Sequence, residues 1–194
     1  MDIFSSLQKD LSGKVLDTLS AGLGTDSKTT QSVMVTALPV LVKALSNNTS
    51  DKNGMESLFD ALMKDHDGSV LEKPEVIVDE QVDTKGTNIL GHILGNKNTA
   101  VTDMIAKTVG VDRSLAGKMM EMLAPAVMGS LGKYTRDQGL DASSLASALK
   151  KGTNKISENS TLNTLLTSLL DKDGDGSIQD DLLDMGMKYL KKLF

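Results

Sequence analysis

The chain of 194 residues contains no cysteine. It therefore has no disulfide framework, no thiol nucleophile and no thiolate ligand for a metal ion. Tryptophan is also absent, and aromatic residues make up 3% of the chain. The chain is long enough to bury a sizeable core. Because aromatic residues are scarce, that core has to be built from Leu, Val, Ala and Met.

Methionine is abundant where aromatic residues are scarce, with eleven in the chain. Its unbranched thioether side chain packs adaptably. Residues 118–123, Lys-Met-Met-Glu-Met-Leu, hold three of these methionines. The stretch is typical either of a pliable groove for a protein partner or of core filling, and we favour core filling.

Long apolar runs are missing as well. No run approaches the roughly 20 residues that a helix needs to cross a bilayer, which predicts that the chain has no transmembrane segment. The first ten residues combine neither a basic region nor an apolar core, so we expect no signal peptide and a cytoplasmic location. The net charge of −5 disfavours nucleic acid as a partner.

The stretch with the spacing of a chemical site lies at residues 171–181, Asp-Lys-Asp-Gly-Asp-Gly-Ser-Ile-Gln-Asp-Asp. It matches the first half of the EF-hand pattern, in which alternate carboxylates converge on a hard cation and a glycine permits a sharp turn. The pattern predicts a calcium site. Its predicted ligands are Asp171, Asp173, Asp175, the backbone carbonyl of Ser177, and Asp180 or Asp181.

This loop departs from the pattern at its twelfth position, where Leu182 replaces a bidentate Glu. The nearest carboxylates come one or two residues early, so we expect weak affinity, roughly 10⁻⁴ to 10⁻³ M, and a structural role. A metal-free polar turn is the alternative. Five acids within eleven residues repel one another unless they are neutralised, which favours a cation. Flexible oxygen ligands favour calcium over magnesium.

An internal duplication is visible when the chain is compared with itself at an offset of 86 residues. The identical residues fall in one gap-free register: Asp17 and Asp103, Gly24 and Gly110, Asp26 and Asp112, Pro39 and Pro125, Leu45 and Leu131. Each copy predicts a helix that ends at a glycine, an Asp N-cap and a longer apolar helix. The proline inside that longer helix should kink or break it.

A remnant of the acidic loop occurs in the first half. Residues 64–70, Lys-Asp-His-Asp-Gly-Ser-Val, align with residues 172–178. Met63 stands where the first carboxylate belongs, and Pro74 disfavours a normal exiting helix. We expect the loop at 63–73 to bind a cation weakly or not at all.

Four runs of the sequence, one of them the loop at 64–71, carry a resemblance to a known family. They are Lys-Asp-His-Asp-Gly-Ser-Val-Leu (64–71), Ile-Leu-Gly-His-Ile-Leu-Gly (89–95), Val-Gly-Val-Asp (109–112) and Leu-Ala-Pro-Ala-Val-Met-Gly-Ser-Leu (123–131). With these runs the chain resembles the bacterial domain-of-unknown-function family 937, whose YidB-like members are similar at the C-terminal end too. The resemblance implies a small bacterial all-helical protein and brings no established activity.

Apolar periodicity predicts the fold class: all-α, a duplicated helical bundle of about nine helices with an EF-hand-like acidic loop near the C-terminus. We predict a first helical half at 1–72, an acidic linker at 73–86 and a second half at 87–194. Residues 75–83 are the one extended candidate, and no pairing strand is visible elsewhere in the sequence. We therefore interpret them as a tether rimmed by solvent.

The two histidines have no acid or nucleophile placed beside them by sequence. His92 lies between Gly91 and Gly95, and this small-xxx-small spacing permits close approach of another backbone. We interpret it as a helix-packing residue rather than a ligand or a base. His66 occupies a loop position that normally points outward, so we expect it to be exposed.

These features predict a non-enzymatic module that binds calcium structurally and engages a protein partner or a second copy of itself. The alternative is a peripheral lipid-binding protein that uses a C-terminal amphipathic helix, in which lysines at 188, 191 and 192 lie near Leu190 and Phe194. Lysines there also suit a helix C-terminus. A hydrolase using metal-bound water fits least, because all predicted ligands lie in one short loop.

Overall fold

Helices account for nearly all of the residues that the computed structural model describes, which are 2–78 and 83–156. These residues contain no β-strand, so the predicted all-α class is confirmed for them. Short 3₁₀ helices lie at Pro74–Val78 and Gly95–Lys97. The α-helices are α1 (Ile3–Leu11), α2 (Lys14–Leu23), α3 (Ser27–Asn48), α4 (Lys52–Asp65), α5 (Ser69–Glu72), α6 (Asp83–Leu94), α7 (Asn98–Val109), α8 (Arg113–Asp137) and α9 (Ala142–Ile156).

Aspartate side chains start five of these helices. Each carboxylate accepts a hydrogen bond from a backbone N–H in the first turn, which satisfies a donor that has no partner within the helix. The Thr29 hydroxyl, followed by the Thr29 backbone N–H, lowers the pKa of Asp26, and the backbone N–H of Ser144 lowers the pKa of Asp141. The N-caps predicted at Asp26 and Asp112 are confirmed. The five capping residues are Asp2, Asp26, Asp51, Asp112 and Asp141.

Glycines end α2 and α7 in the way that the duplicated pattern predicts. Gly24 has φ +62° and Gly110 has φ +80°, both in the left-handed region that favours glycine. The sequence helix, glycine, aspartate, helix therefore occurs at both predicted positions. The duplication of the whole bundle stays an interpretation.

Proline lies inside both long helices without ending either one. Pro39 is buried in α3 and Pro125 is buried in α8, and each helix continues for several residues beyond it. Of the two expected outcomes, a break is therefore absent at both positions, and a kink stays a prediction. Because proline has no N–H, the carbonyl four residues earlier lacks its intrahelical donor. These carbonyls belong to Val35 and Glu121.

The core is centred on α8, which contacts all the helices from α1 to α7. Its side chains are buried along most of its length between Ala116 and Thr135. The methionines at 119, 120 and 122 are among them, so the core-filling interpretation of 118–123 is confirmed. Helices of the two predicted halves share this one core, since α1 packs on α8 and α9 packs on α3.

The beginning of the predicted tether is packed against the helices. Pro74 and Ile77 are buried, and Ile77 is 1% exposed. The 3₁₀ helix contacts α2 and α8, where the Val78 side chain occupies the space beside Gly22. Pro74 and Ile77 therefore belong to the core, while Glu75 and Val76 are exposed. Residues 74–78 pack on α2 and α8 through their buried side chains, so this part of the chain is not a solvent-rimmed tether.

Helix α6 approaches the backbone of α8 closely at Gly86. A Cβ on Gly86 would collide with the carbonyl oxygen of Glu121, the same carbonyl that Pro125 deprives of its intrahelical donor. Beside it, the Thr87 hydroxyl donates to Oε1 of Glu121 at 3.0 Å. Apart from the local backbone, no described atom lies within 4 Å of a Cβ placed on Gly91 or Gly95. The close approach expected at 91–95 therefore occurs at Gly86 instead.

We predict that Gly86→Ala lowers the free energy of unfolding by about 1–3 kcal/mol, because the added methyl meets backbone that cannot move aside. Gly91→Ala on the same helix is the matched control. It adds the same methyl into open space and should raise stability by about 0.5–1 kcal/mol through lower chain entropy in the unfolded state. Urea unfolding measures both variants, and equal effects would contradict the close contact.

Candidate functional site

The first acidic loop lies between α4 and α5 and is fully described. Its Asp67 carboxylate accepts hydrogen bonds from the backbone N–H of Ser69 at 2.9 Å and from the Ser69 hydroxyl at 2.6 Å. These bonds, led by the hydroxyl, lower the pKa of Asp67. The carboxylate is therefore used within the turn. Across residues 2–78 and 83–156, no three acidic or histidine side chains are grouped so that they could hold a metal ion.

An arginine from α8 binds the backbone of this loop. Arg136 donates from Nη2 to the carbonyls of Leu62 and Met63, at 3.1 and 2.8 Å, and from Nη1 to the carbonyl of His66 at 3.2 Å. Leu62 and Met63 belong to the last turn of α4, and His66 is its C-cap residue. A cation there satisfies carbonyls that have no helical donor and opposes the negative end of the helix dipole.

Two glycines of α8 allow the loop to come this close. A Cβ on Gly132 would collide with the carbonyl oxygen of His66, and one on Gly129 would collide with the Val70 side chain. The loop in turn bends at Gly68, whose φ of +95° favours glycine. The backbone of α8 therefore forms the surface on which the loop rests.

The second acidic loop lies outside the described residues. Asp171, Asp173, Asp175, Ser177, Asp180 and Asp181 all fall within 157–194. The calcium site predicted there stays a prediction.

A cleft of about 650 Å³ opens beside the first loop, bounded by α4, α6 and the C-terminal end of α3. This volume is in the range of small-molecule and side-chain pockets. Its floor is apolar and its edge carries short polar side chains. The floor is formed by Leu45, Leu58, Ala61, Ile89, Ile93 and Met128, and the edge by Asn47, Asn48, Ser50, Asp51 and Ser57.

Both histidines of the chain line this cleft. His66 is half-buried, and burial lowers the pKa of its imidazole, although Asp65 and Asp67 oppose the shift. His92 is exposed, so the helix-packing interpretation of His92 is wrong: α6 turns this side chain toward the cleft rather than toward another helix. The structure brings together two residues that are 26 positions apart.

One side chain fixes the shape of the cleft at its edge. Asn48 donates from Nδ2 to the carbonyls of His92 and Ile93, each at 3.1 Å. These carbonyls lie in the last turn of α6, so the bonds join the end of α3 to the end of α6. The mouth of the cleft therefore has a defined width.

The sequence gives little signal for either feature. Arg136 is one of two arginines in the chain, and apart from this rarity nothing in the sequence indicates that it binds the loop. The cleft depends on α3, α4, α6 and α8 meeting in space, and no local pattern reports that meeting. His66 and His92 lie in runs that carry the family resemblance. That resemblance does not predict that the two residues line the same cleft.

The described residues define a class: an all-helical protein with one central helix, a side cleft and an arginine-held loop. No helix among them has both the length and the apolar character to cross a membrane. A family model described as a bacterial protein of unknown function, DUF937, matches residues 5–134. The chain belongs to this family, as the resemblance predicted. No curated protein and no solved structure matches it.

We predict that Arg136→Met lowers the free energy of unfolding by about 1–3 kcal/mol, because three backbone carbonyls lose a charged donor. The other arginine provides the control. Arg113 forms an exposed ion pair with Asp103 at 2.9 Å, and Arg113→Met should cost less than about 1 kcal/mol. Chemical denaturation compares the two. A loss at Arg136 no greater than at Arg113 would show that the guanidinium does not hold the loop.

Proposed function

We propose that the protein is a non-enzymatic interaction module that receives an aliphatic side chain of a protein partner in the cleft between α3, α4, α6 and α8. The observation that carries this proposal is the apolar floor of a solvent-open cleft with polar groups at its edge. Such a pattern is typical of sites that bury an anchor residue and orient it with a few hydrogen bonds.

The chemistry at the edge of the cleft supports binding more than catalysis. Within residues 2–78 and 83–156, the hydrogen bonds of His66 and His92 are made by their backbone carbonyls, and no described side chain is placed to activate either imidazole as a base. Asp51, the carboxylate at this edge, accepts from the backbone N–H of Gly54 at 2.9 Å and serves as the N-cap of α4. Its hydrogen-bonding capacity is directed at the helix.

The cleft also favours a particular kind of partner. Its floor is formed by branched aliphatic and methionine side chains, which suit Leu, Ile or Met better than a charged residue. Asn and Ser side chains at the edge can bond the polar backbone next to such an anchor. A short amphipathic segment with one or two aliphatic anchors has this chemistry.

We predict that a random peptide library selected on the protein yields ligands with an aliphatic anchor, and that Ala61→Trp weakens their binding at least tenfold. The indole would fill the floor of the cleft at Ala61. Val76→Trp is the matched control, since it adds the same side chain at an exposed position outside the cleft. Binding is measured by calorimetry with a synthetic peptide.

Retention of full affinity by Ala61→Trp would place the binding surface elsewhere and reject the cleft. Sedimentation of the protein alone addresses a second copy as the natural occupant. In that case Ala61→Trp, and not Val76→Trp, abolishes a concentration-dependent dimer.

From the sequence we further propose that residues 171–181 bind calcium structurally. The contrast between the two loops supports this. In the first loop Arg136 donates to backbone carbonyls, whereas residues 171–181 carry five acids within eleven residues. Repulsion among carboxylates at this density favours binding of a cation, and an all-oxygen set suits calcium.

Calcium titration should therefore release or absorb heat with the parent chain and fail to do so with Asp173→Ala/Asp175→Ala, because two ligands are lost. The control variant is Asp60→Ala/Asp65→Ala, which removes the same charge from the exposed surface of α4. It should titrate like the parent. An absence of heat from the parent itself would reject the calcium site.

A further inference from the structure

An apolar groove lies between α1, α2 and the N-terminal half of α3. Its walls include Leu11, Leu16, Met34 and Leu38, and at its edge the Val35 side chain is 53% exposed. Val35 and Val76 are the exposed large apolar side chains among the described residues. Exposure of this apolar surface to water is unfavourable, so a segment that covered the groove would stabilise the protein.

The face of α8 that corresponds to this groove on α3 is covered by a helix. At the offset of 86 residues Val35 corresponds to Glu121, and each precedes a buried proline by four positions. On α8 this place is occupied by α6, through the contact of Gly86 with the Glu121 carbonyl and the hydrogen bond from Thr87. The corresponding face of α3 carries the groove at Met34 and Val35 and has no helix lying on it within residues 2–78 and 83–156.

We propose that the segment 162–170 of this same chain covers the groove, packing on α3 as α6 packs on α8. The sequence of this segment carries leucines at helical spacing, on a single face. They are Leu162, Leu165, Leu166, Leu169 and Leu170. A leucine face matches the aliphatic walls of the groove in chemistry.

The chain leaves the described residues within reach of this groove. Near the end of α9, a Cβ on Gly152 would lie 2.8 Å from Cγ2 of Ile3. From Ile3, α1 runs about 12 Å to Leu11 in the groove wall, at 1.5 Å per residue. Residues 157–161 span up to about 17 Å when extended. The leucine segment can therefore begin at the groove.

The cleft that holds the histidines is a poorer destination. The groove at Val35 matches the position that α6 fills on α8, and the cleft has no such counterpart. The segment therefore docks at Val35, and the cleft stays open for a partner.

Docking at the groove has a consequence for the acidic loop. Leu170 immediately precedes Asp171, so packing of the leucine face fixes the start of residues 171–181 against the helical body. This docking does not depend on whether those residues bind calcium.

The absence of cysteine from the chain gives a direct test by disulfide formation. Val35→Cys is combined with Leu166→Cys, and the matched control combines Val76→Cys with Leu166→Cys. Val76 is as exposed as Val35, at 51%, but lies outside the groove. We expect the Val35 pair to form an intramolecular disulfide at least tenfold faster, measured by loss of free thiol and by the mobility of the monomer.

Four further pairs test which leucine of the segment lies nearest to Val35. In these variants Val35→Cys is combined in turn with cysteine at 162, 165, 169 and 170. Circular dichroism shows that each variant is folded, and a chelator keeps the outcome separate from the calcium proposal. If all five pairs react no faster than the Val76 control, the proposal is overturned. A disulfide-linked dimer as the main product also overturns it, since the segment then covers the groove of a second copy.

Discussion

Burial of α8 on nearly all sides is the constraint from which the other contacts follow. A helix surrounded by α1 to α7 leaves little room for side chains at the crossings, so its neighbours approach the backbone itself. Glycine supplies this approach from either side: Gly129 and Gly132 lie on α8, and Gly86 lies on α6. Pro125 adds to it by freeing the Glu121 carbonyl, over which α6 packs.

The same helix joins the loop and the cleft into one structural unit. Arg136 of α8 holds the carbonyls at the end of α4, while Met128, two turns earlier, forms part of the cleft floor. His66 belongs to both places, because its carbonyl accepts from Arg136 and its imidazole lines the cleft. The position of the loop therefore sets the shape of the proposed docking surface. The guanidinium of Arg136 thus links the end of α4 to α8 through three backbone carbonyls.

Features fixed by a few neighbouring residues were predictable from the sequence. The N-caps at Asp26 and Asp112 and the left-handed glycines at 24 and 110 depend on one turn of chain, and the methionines at 119, 120 and 122 follow from their apolar character. Contacts between distant segments were not predictable. The spacing of Gly91 and Gly95 is the same as that of a packing motif, yet tertiary position gives the close contact to Gly86. The four acids of residues 75–83 suggest a tether, but burial of Ile77 holds residues 74–78 against the helices.

Hydrogen exchange of the native protein tests the central position of α8 most directly. Amides between Met119 and Leu131 should open only with global unfolding, because this stretch is buried and surrounded. Amides of α9, which packs on one side of the bundle against α3, α4 and α1, should exchange through smaller openings and at higher rates. Exchange in α8 as fast as in α9 would contradict the account.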